Sequence, residues 1–335
     1  MFVNGTSGND ANLTGSYDSD YINGHEGADK LSGLGGLDML IGGTGNDTID
    51  GGGGYDTTSY TYATKNVMVN LTTGTAVQSG VWGDTDQLIS VENVIGSAQN
   101  DTLAGNQAIN ELFGGKGHDV LEGLGGDDKL SGGEGFDEAT YAASAQGIII
   151  DLATGTGQGG DAEGDTLFSI EKVTGSSQMD WLKGGSGNDF LAGGNGADVL
   201  WGRAGHDTMF GGAGNDTMEG NGGGDVMNGG AGADIFVLYQ AAESTPDAFD
   251  WISDFSQAQG DKISLNTIDA RAHTSGNQDF SFIGQSGFTS EGQLRYHHEN
   301  GKTIVEANLV DYSDGAEMKI VLNGTINLTA NDFFL

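Results

Sequence analysis

Residues 15–59 read GSYDSDYIN, GHEGADKLS, GLGGLDMLI, GGTGNDTID, GGGGYDTTS when cut into nines from Gly15. The same frame returns at Gly96 for five units and at Gly175 for seven. Across these 17 units the first position is always Gly, and the sixth is Asp in 16, with Asn110 the exception. The eighth is Ile, Leu, Met or Phe in 15, the others being Thr58 and Ala139. The fourth is Gly in 13, and three of its four departures (Asp18, Gln99, Gln178) open a block, as the end units of an array should. A looser unit, GTSGNDANL from Gly5, precedes the first block.

Six Gly-rich residues followed by three strand residues reverse the chain twice in every 18. Stacking such turns predicts an all-β fold, a parallel β-roll of two sheets with layers about 4.8 Å apart. Position-8 side chains point inward and make a thin core. Met209, Met218 and Met227 fall in that column and read as core filler. Glycines permit the positive φ of tight turns and leave carbonyl oxygens bare beside the next layer.

Composition narrows the classes. Of 335 residues 62 are Gly, one is Pro and none is Cys. A single Pro excludes collagen, and 36% hydrophobic content excludes a disordered Gly-rich linker. Without Cys there are no disulfides, thiolate zinc sites or cysteine nucleophiles. Forty-eight acidic residues against 12 basic ones give a formal charge of −36. Nucleic acid binding needs cations to neutralise phosphates, so it is excluded as a function. The absence of an 18-residue apolar run predicts no transmembrane segment.

A folded chain so rich in carboxylate calls for bound cations. Calcium takes six to eight oxygens, mixing carboxylates with backbone carbonyls. A turn preference alone would not hold Asp to one phase through three blocks. The predicted ligands are therefore Asp10, Asp20, Asp29, Asp38, Asp47 and Asp56 in the first block; Asp101, Asp119, Asp128 and Asp137 in the second; and Asp180, Asp189, Asp198, Asp207, Asp216, Asp225 and Asp234 in the third. Turn carbonyls join them from Gly42, Gly43, Gly45, Gly114, Gly115, Gly117, Gly184, Gly185, Gly187, Gly193, Gly194, Gly196, Gly211, Gly212, Gly214, Gly229, Gly230 and Gly232. Units two apart share an edge, so Asp38 and Asp56 would flank one ion. The array would take roughly 8–11 calcium ions.

Two interludes separate the blocks, and they resemble each other. Tyr60 and Tyr141 open them, Leu71 and Leu152 end an apolar strand, and Asp86/Asp165 and Glu92/Glu171 follow a Gly/Asp loop. Each is expected to add strands along the roll. Asp86 and Glu92 are expected to be exposed loop carboxylates, with ligands of further ions as the alternative reading. The predicted divisions are thus 1–59, 60–95, 96–140, 141–174, 175–237 and 238–335, the last a small β-rich cap.

The nonapeptides resemble RTX, hemolysin-type, calcium-binding repeats. The passage GGAGADIFVL, ESTPDAFDWISDF and GDKISL resembles the C-terminal domain of serralysin-type metalloproteases. That resemblance implies export by a type I secretion apparatus reading the C-terminal Asp332-Phe333-Phe334-Leu335, and folding in extracellular calcium. The N-terminus MFVNGTSGND shows no Sec-type signal, which fits that route.

No catalytic residues are predicted. His25-Glu26 is not followed by a His at 29, and His297-His298-Glu299 has the wrong order for H-E-x-x-H. His118 and His206 occupy a variable turn position and read as exposed turn residues. The chain therefore reads as a secreted, non-enzymatic calcium-binding protein with an extracellular polysaccharide or surface component as partner. The alternative is the non-catalytic folding and secretion module of a larger metalloprotease, hydrolase or alginate-type epimerase.

Overall fold

The computed structural model describes residues 1–79, 84–271, 276–310 and 315–335. The middle of the first interlude's predicted loop, 80–83, lies outside the described residues. The described chain is all-β apart from short 3-10 turns, and it forms two compact units. One comprises Met1–Ser144 with Gly155–Val173, the other Ala145–Thr154 with Thr174–Leu335.

In the first unit one sheet stacks Phe2–Asn4, Tyr21–Asn23, Met39–Ile41, Thr57–Ser59, Asn93–Ile95, Glu111–Gly117, Lys129–Gly135 and Thr166–Phe168, all parallel. Tyr21 pairs with Met39 and Met39 with Thr57, a step of 18 residues. Across the interlude a single layer takes 36 residues, Thr57 pairing with Asn93. The other sheet absorbs the difference. Thr48–Asp50 pairs with Thr85–Ile89, which turns back through Thr75–Gln78 to Val67–Asn70, and parallel stacking resumes at Thr102–Asn106.

In the second unit Ile149–Asp151, Trp181–Lys183, Val199–Ala204, Thr217–Gly222, Ile235–Val237, Lys262–Ser264 and Phe333–Phe334 stack in parallel. Opposite them run Phe190–Asn195, Thr208–Ala213, Val226–Ala231 and Asp250–Ile252. The antiparallel strands Gln293–Glu299, Lys302–Asn308 and Met318–Asn323 then join through Asp250–Ile252. The segment after Asp234 thus continues the stack with its first three strands, Ile235–Val237, Asp250–Ile252 and Lys262–Ser264.

Alternation within a three-residue strand turns only its middle residue inward. Ile22, Leu40, Ile49, Leu103, Leu112, Leu121, Leu130, Leu182, Leu191, Leu200, Met209, Met218, Met227 and Phe236 are all fully buried. Each contributes roughly 1.5–3 kcal/mol. Thr58, one of the two exceptions in that column, is equally buried and donates its hydroxyl to the Leu40 carbonyl one layer below.

Candidate metal centres

The position-6 aspartates form ladders along both turn edges. Each backbone N–H donates to the Oδ1 of the aspartate one layer on. Asp20 donates to Asp38 at 2.8 Å, Asp38 to Asp56 at 2.8 Å, and Asp10 to Asp29 to Asp47 at 2.7 and 2.9 Å. Asp101 donates to Asp119 and Asp119 to Asp137. In the third block Asp180, Asp198, Asp216 and Asp234 form one ladder, and Asp189, Asp207 and Asp225 the other. The aspartates that sequence paired as n and n+2 are therefore stacked neighbours.

The second oxygen separates ladder starts from ladder interiors. At the starts it is closed by the turn's own second residue. Thr6 serves Asp10, Ser16 serves Asp20, Ser97 serves Asp101, Ser176 serves Asp180 and the Gly185 N–H serves Asp189. In the interiors it has no donor. Twelve Oδ2 atoms, of Asp29, Asp38, Asp47, Asp56, Asp119, Asp128, Asp137, Asp198, Asp207, Asp216, Asp225 and Asp234, are buried without a hydrogen-bond partner. A buried carboxylate oxygen left unpaired costs far more than an exposed one.

Burial accordingly raises the carboxyls of Asp38, Asp47, Asp56, Asp119, Asp128, Asp137, Asp198, Asp207, Asp216, Asp225 and Asp234. Asp119 and Asp198 are pushed up to about 7, and Asp47, Asp128, Asp207 and Asp216 to about 6. For Asp198 burial is the leading cause; the Asp180 N–H opposes it, and the charges of Asp180 and Asp216 add to it.

The glycines complete the geometry. Gly43, Gly45, Gly115, Gly117, Gly194, Gly196, Gly212, Gly214, Gly230 and Gly232 sit at positive φ. Gly214 is the clearest case, because any Cβ there would overlap the Gly196 carbonyl one layer below. Gly42, Gly114, Gly184, Gly193, Gly211 and Gly229 hold the first position. A Cβ on Gly211 would meet both Asp216 Oδ2 and, at 2.7 Å, the Gly229 carbonyl of the next layer. Two buried oxygens converging on one point, one of them an orphaned carboxylate, suit a hard cation. Among the described residues no three acidic or histidine side chains meet at one point. Carbonyls would therefore supply most of the ligands, as calcium accepts and zinc does not. Gly187 differs from the rest: a Cβ there would touch nothing.

The ladders do not stop with the nonapeptides. Asp47 donates to Asp86 Oδ1 at 3.0 Å, Asp56 to Glu92 Oε2 at 2.9 Å, Asp128 to Asp165 at 2.8 Å and Asp137 to Glu171 at 2.9 Å. Asp225 and Asp234 donate likewise to Asp250 and Asp261. The expectation that Asp86 and Glu92 are exposed loop carboxylates is thus overturned. Asp86 is buried and Glu92 half-buried, because each carries the next layer. The missed signal is a triplet, an acid, any residue and an apolar one: Asp86-Gln87-Leu88, Glu92-Asn93-Val94, Asp165-Thr166-Leu167, Glu171-Lys172-Val173, Asp250-Trp251-Ile252 and Asp261-Lys262-Ile263. Tyr60 and Tyr141 close the second oxygens of Asp86 and Asp165 at 3.0 and 2.8 Å.

His118 and His206 are exposed, as expected, but they also have a structural part. Their Nδ1 atoms accept the backbone N–H of Phe136 and Gly224 one layer on, at 2.9 and 3.0 Å.

Comparison with known proteins bears on this arrangement directly. A family model described as the RTX calcium-binding nonapeptide repeat matches residues 4–40, 24–58, 105–139, 174–209 and 201–236. Solved structures similar to the chain include two repeat subunits, R3 and R2, of a mannuronan C5-epimerase from Azotobacter vinelandii. R3 is 25% identical over 47% of this chain and 78% of its own, with a TM-score of 0.21. R2 is 24% identical over 49% and 92%, with a TM-score of 0.29. An extracellular lipase from Serratia marcescens is 15% identical over 99% of this chain and 39% of its own, at a TM-score of 0.31. No curated protein matches. The chain carries RTX calcium-binding nonapeptide repeats, in several copies, on a parallel β-roll.

Proposed function

We propose that the chain is an exported, non-catalytic calcium-binding protein whose roll forms when calcium fills its turns. The twelve buried, partnerless Oδ2 atoms carry this reading. Stacked ionised carboxylates repel one another and are costly to bury, and divalent cations relieve both effects. Glycine adds to the need, since each of the 62 loses more backbone freedom on folding than other residues do. A thin core of one inward side chain per strand offsets little of that cost. Folding would then wait for calcium, which is scarce inside cells and plentiful outside. The C-terminal Asp332-Phe333-Phe334-Leu335 would act as the export signal before that point.

The proposed extracellular partner is a polysaccharide. Trp181 and Trp201 sit edge to face on the outer side of one sheet, 5.9 Å apart, with the Lys183 ammonium 4.6 Å from the Trp201 ring. Such a surface suits stacking of sugar rings.

Calcium titration of the EDTA-treated chain, followed by far-UV circular dichroism and calorimetry, tests the central claim. The expected result is a disordered chain that gains β-structure cooperatively, binding roughly 8–11 ions with midpoints near 10⁻⁴–10⁻³ M. A chain already folded in EDTA at pH 8 would overturn it.

A further inference from the structure

Asp56 and Asp137, the last position-6 aspartates of the first two blocks, are 0% exposed, and each has an Oδ2 with no hydrogen-bond partner. No nonapeptide follows either of them. The next layer is instead a shorter turn, Ser90-Val91-Glu92 above Asp56 and Ser169-Ile170-Glu171 above Asp137.

These two turns reproduce the oxygen pair of a regular layer. A Cβ on Gly51 would lie 2.7 Å from Asp56 Oδ2 and against the Ser90 carbonyl. One on Gly132 would lie 2.5 Å from Asp137 Oδ2 and against the Ser169 carbonyl. In regular layers the same two places belong to an aspartate Oδ2 and the carbonyl of the next first-position glycine, as with Asp207 and Gly220 around Gly202. Ser90 and Ser169 present their carbonyls from the left-handed region, at φ 48 and 49. Glu92 and Glu171 accept the N–H that the next aspartate would otherwise take.

The other two interlude layers differ. Around Gly42 and Gly123 the three nearest atoms among the described residues all belong to Asp47 and Asp128. Above them the free oxygens of Asp86 and Asp165 are closed by tyrosine.

We propose that Asp56 with Ser90–Glu92, and Asp137 with Ser169–Glu171, each hold a calcium ion, so that the array extends beyond the nonapeptides. The ligands would be the aspartate Oδ2, the serine carbonyl and the glutamate carboxylate, completed by turn carbonyls and water. The inference rests on the calcium reading above.

Equilibrium dialysis with atomic absorption on the full chain, wild type against E92Q/E171Q, is the test. Glutamine keeps an acceptor for the N–H but removes the charge. The expected result is two ions lost, or weakened at least tenfold, in a double variant that still folds at saturating calcium. An unchanged ion count in a calcium-loaded double variant overturns the proposal and leaves the array reading intact. A wild type that binds no calcium overturns both. Should the variant not fold, a wild-type crystal grown in calcium decides through its anomalous scattering. Peaks between Asp56 and Ser90 and between Asp137 and Ser169 are expected, and empty positions there beside occupied regular layers would overturn the proposal.

Discussion

Each ladder aspartate divides its two oxygens between two tasks. In the ladder interiors Oδ1 takes the N–H of the layer below, and along the ladder Oδ2 is either closed by a local donor or left open. Asp198 is open while Asp180 is closed by Ser176. D198N should therefore lower the calcium stoichiometry by one and raise the calcium midpoint of folding. S176A keeps the backbone N–H on Asp180 and removes only the hydroxyl that reaches both its oxygens. It should therefore leave the ion count unchanged and cost about 1–2 kcal/mol in urea unfolding of the loaded protein. Asn110 shows a third solution. Its Nδ2 donates to the Glu92 carbonyl at 2.8 Å, so an amide supplies the positive pole that a cation supplies elsewhere. N110D should thus gain an ion by dialysis and become more calcium-dependent. The ladder positions are readable in sequence because the ninefold phase allows no freedom; Asp38 and Asp56 can only stack. What the phase does not reveal is which oxygens are closed, since that depends on the backbone course at Ser16, Ser97 and Ser176.

At the scale of the element, the interludes read as insertions because the ninefold spacing of their glycines is gone. Glycine marks the turn, but the acid-x-apolar triplet marks the layer, and Asp86-Gln87-Leu88 keeps the second without the first. Turn recognition by composition therefore loses a layer that geometry retains. Two substitutions separate the roles of glycine within a turn. G214A would drive a Cβ into the Gly196 carbonyl at φ 148 and should prevent that layer from stacking, seen as a loss of cooperativity in calcium-induced folding. G8A, where a Cβ meets nothing within 4 Å, should fold like the wild type. The tyrosine caps are testable in the same way. Y60F removes the hydroxyl that closes Asp86, and the buried oxygen left behind should cost about 1–3 kcal/mol in urea unfolding of the loaded protein.

Across the whole molecule the carboxyls act together. Asp86, Asp119, Asp165 and Asp198 sit near 7 in the folded chain, against 3.8 for an unperturbed group, with burial the leading cause in each. A raised folded value means that the folded state binds more protons between those limits. In EDTA the fold should thus be most stable below about pH 4 and should lose stability as pH rises through 7. Circular dichroism of the metal-free chain at pH 4.5 and pH 8 checks the sign: β-structure at the lower pH, disorder at the higher. Protons would then stand in for calcium, and a chain equally disordered at both would argue against the raised values. The all-β roll was legible at this scale from the period alone. The strands 293–299, 302–308 and 318–323 were legible only as short apolar runs: the first two pair locally across Asn300-Gly301, but their attachment to the stack rests on the pairing of Asp250 with Ile320, 70 residues away.

Stacked partners within a block lie only 18 residues apart, so each layer is held by neighbours close along the chain. Parallel sheets usually join distant segments; this one is wound from adjacent ones. Tension applied along the chain would peel it from an end one layer at a time, each releasing roughly 60 Å of extended polypeptide. Within each block the chain would lengthen under load in equal steps, with a longer step at an interlude layer, and would rewind by the same steps when the load was removed.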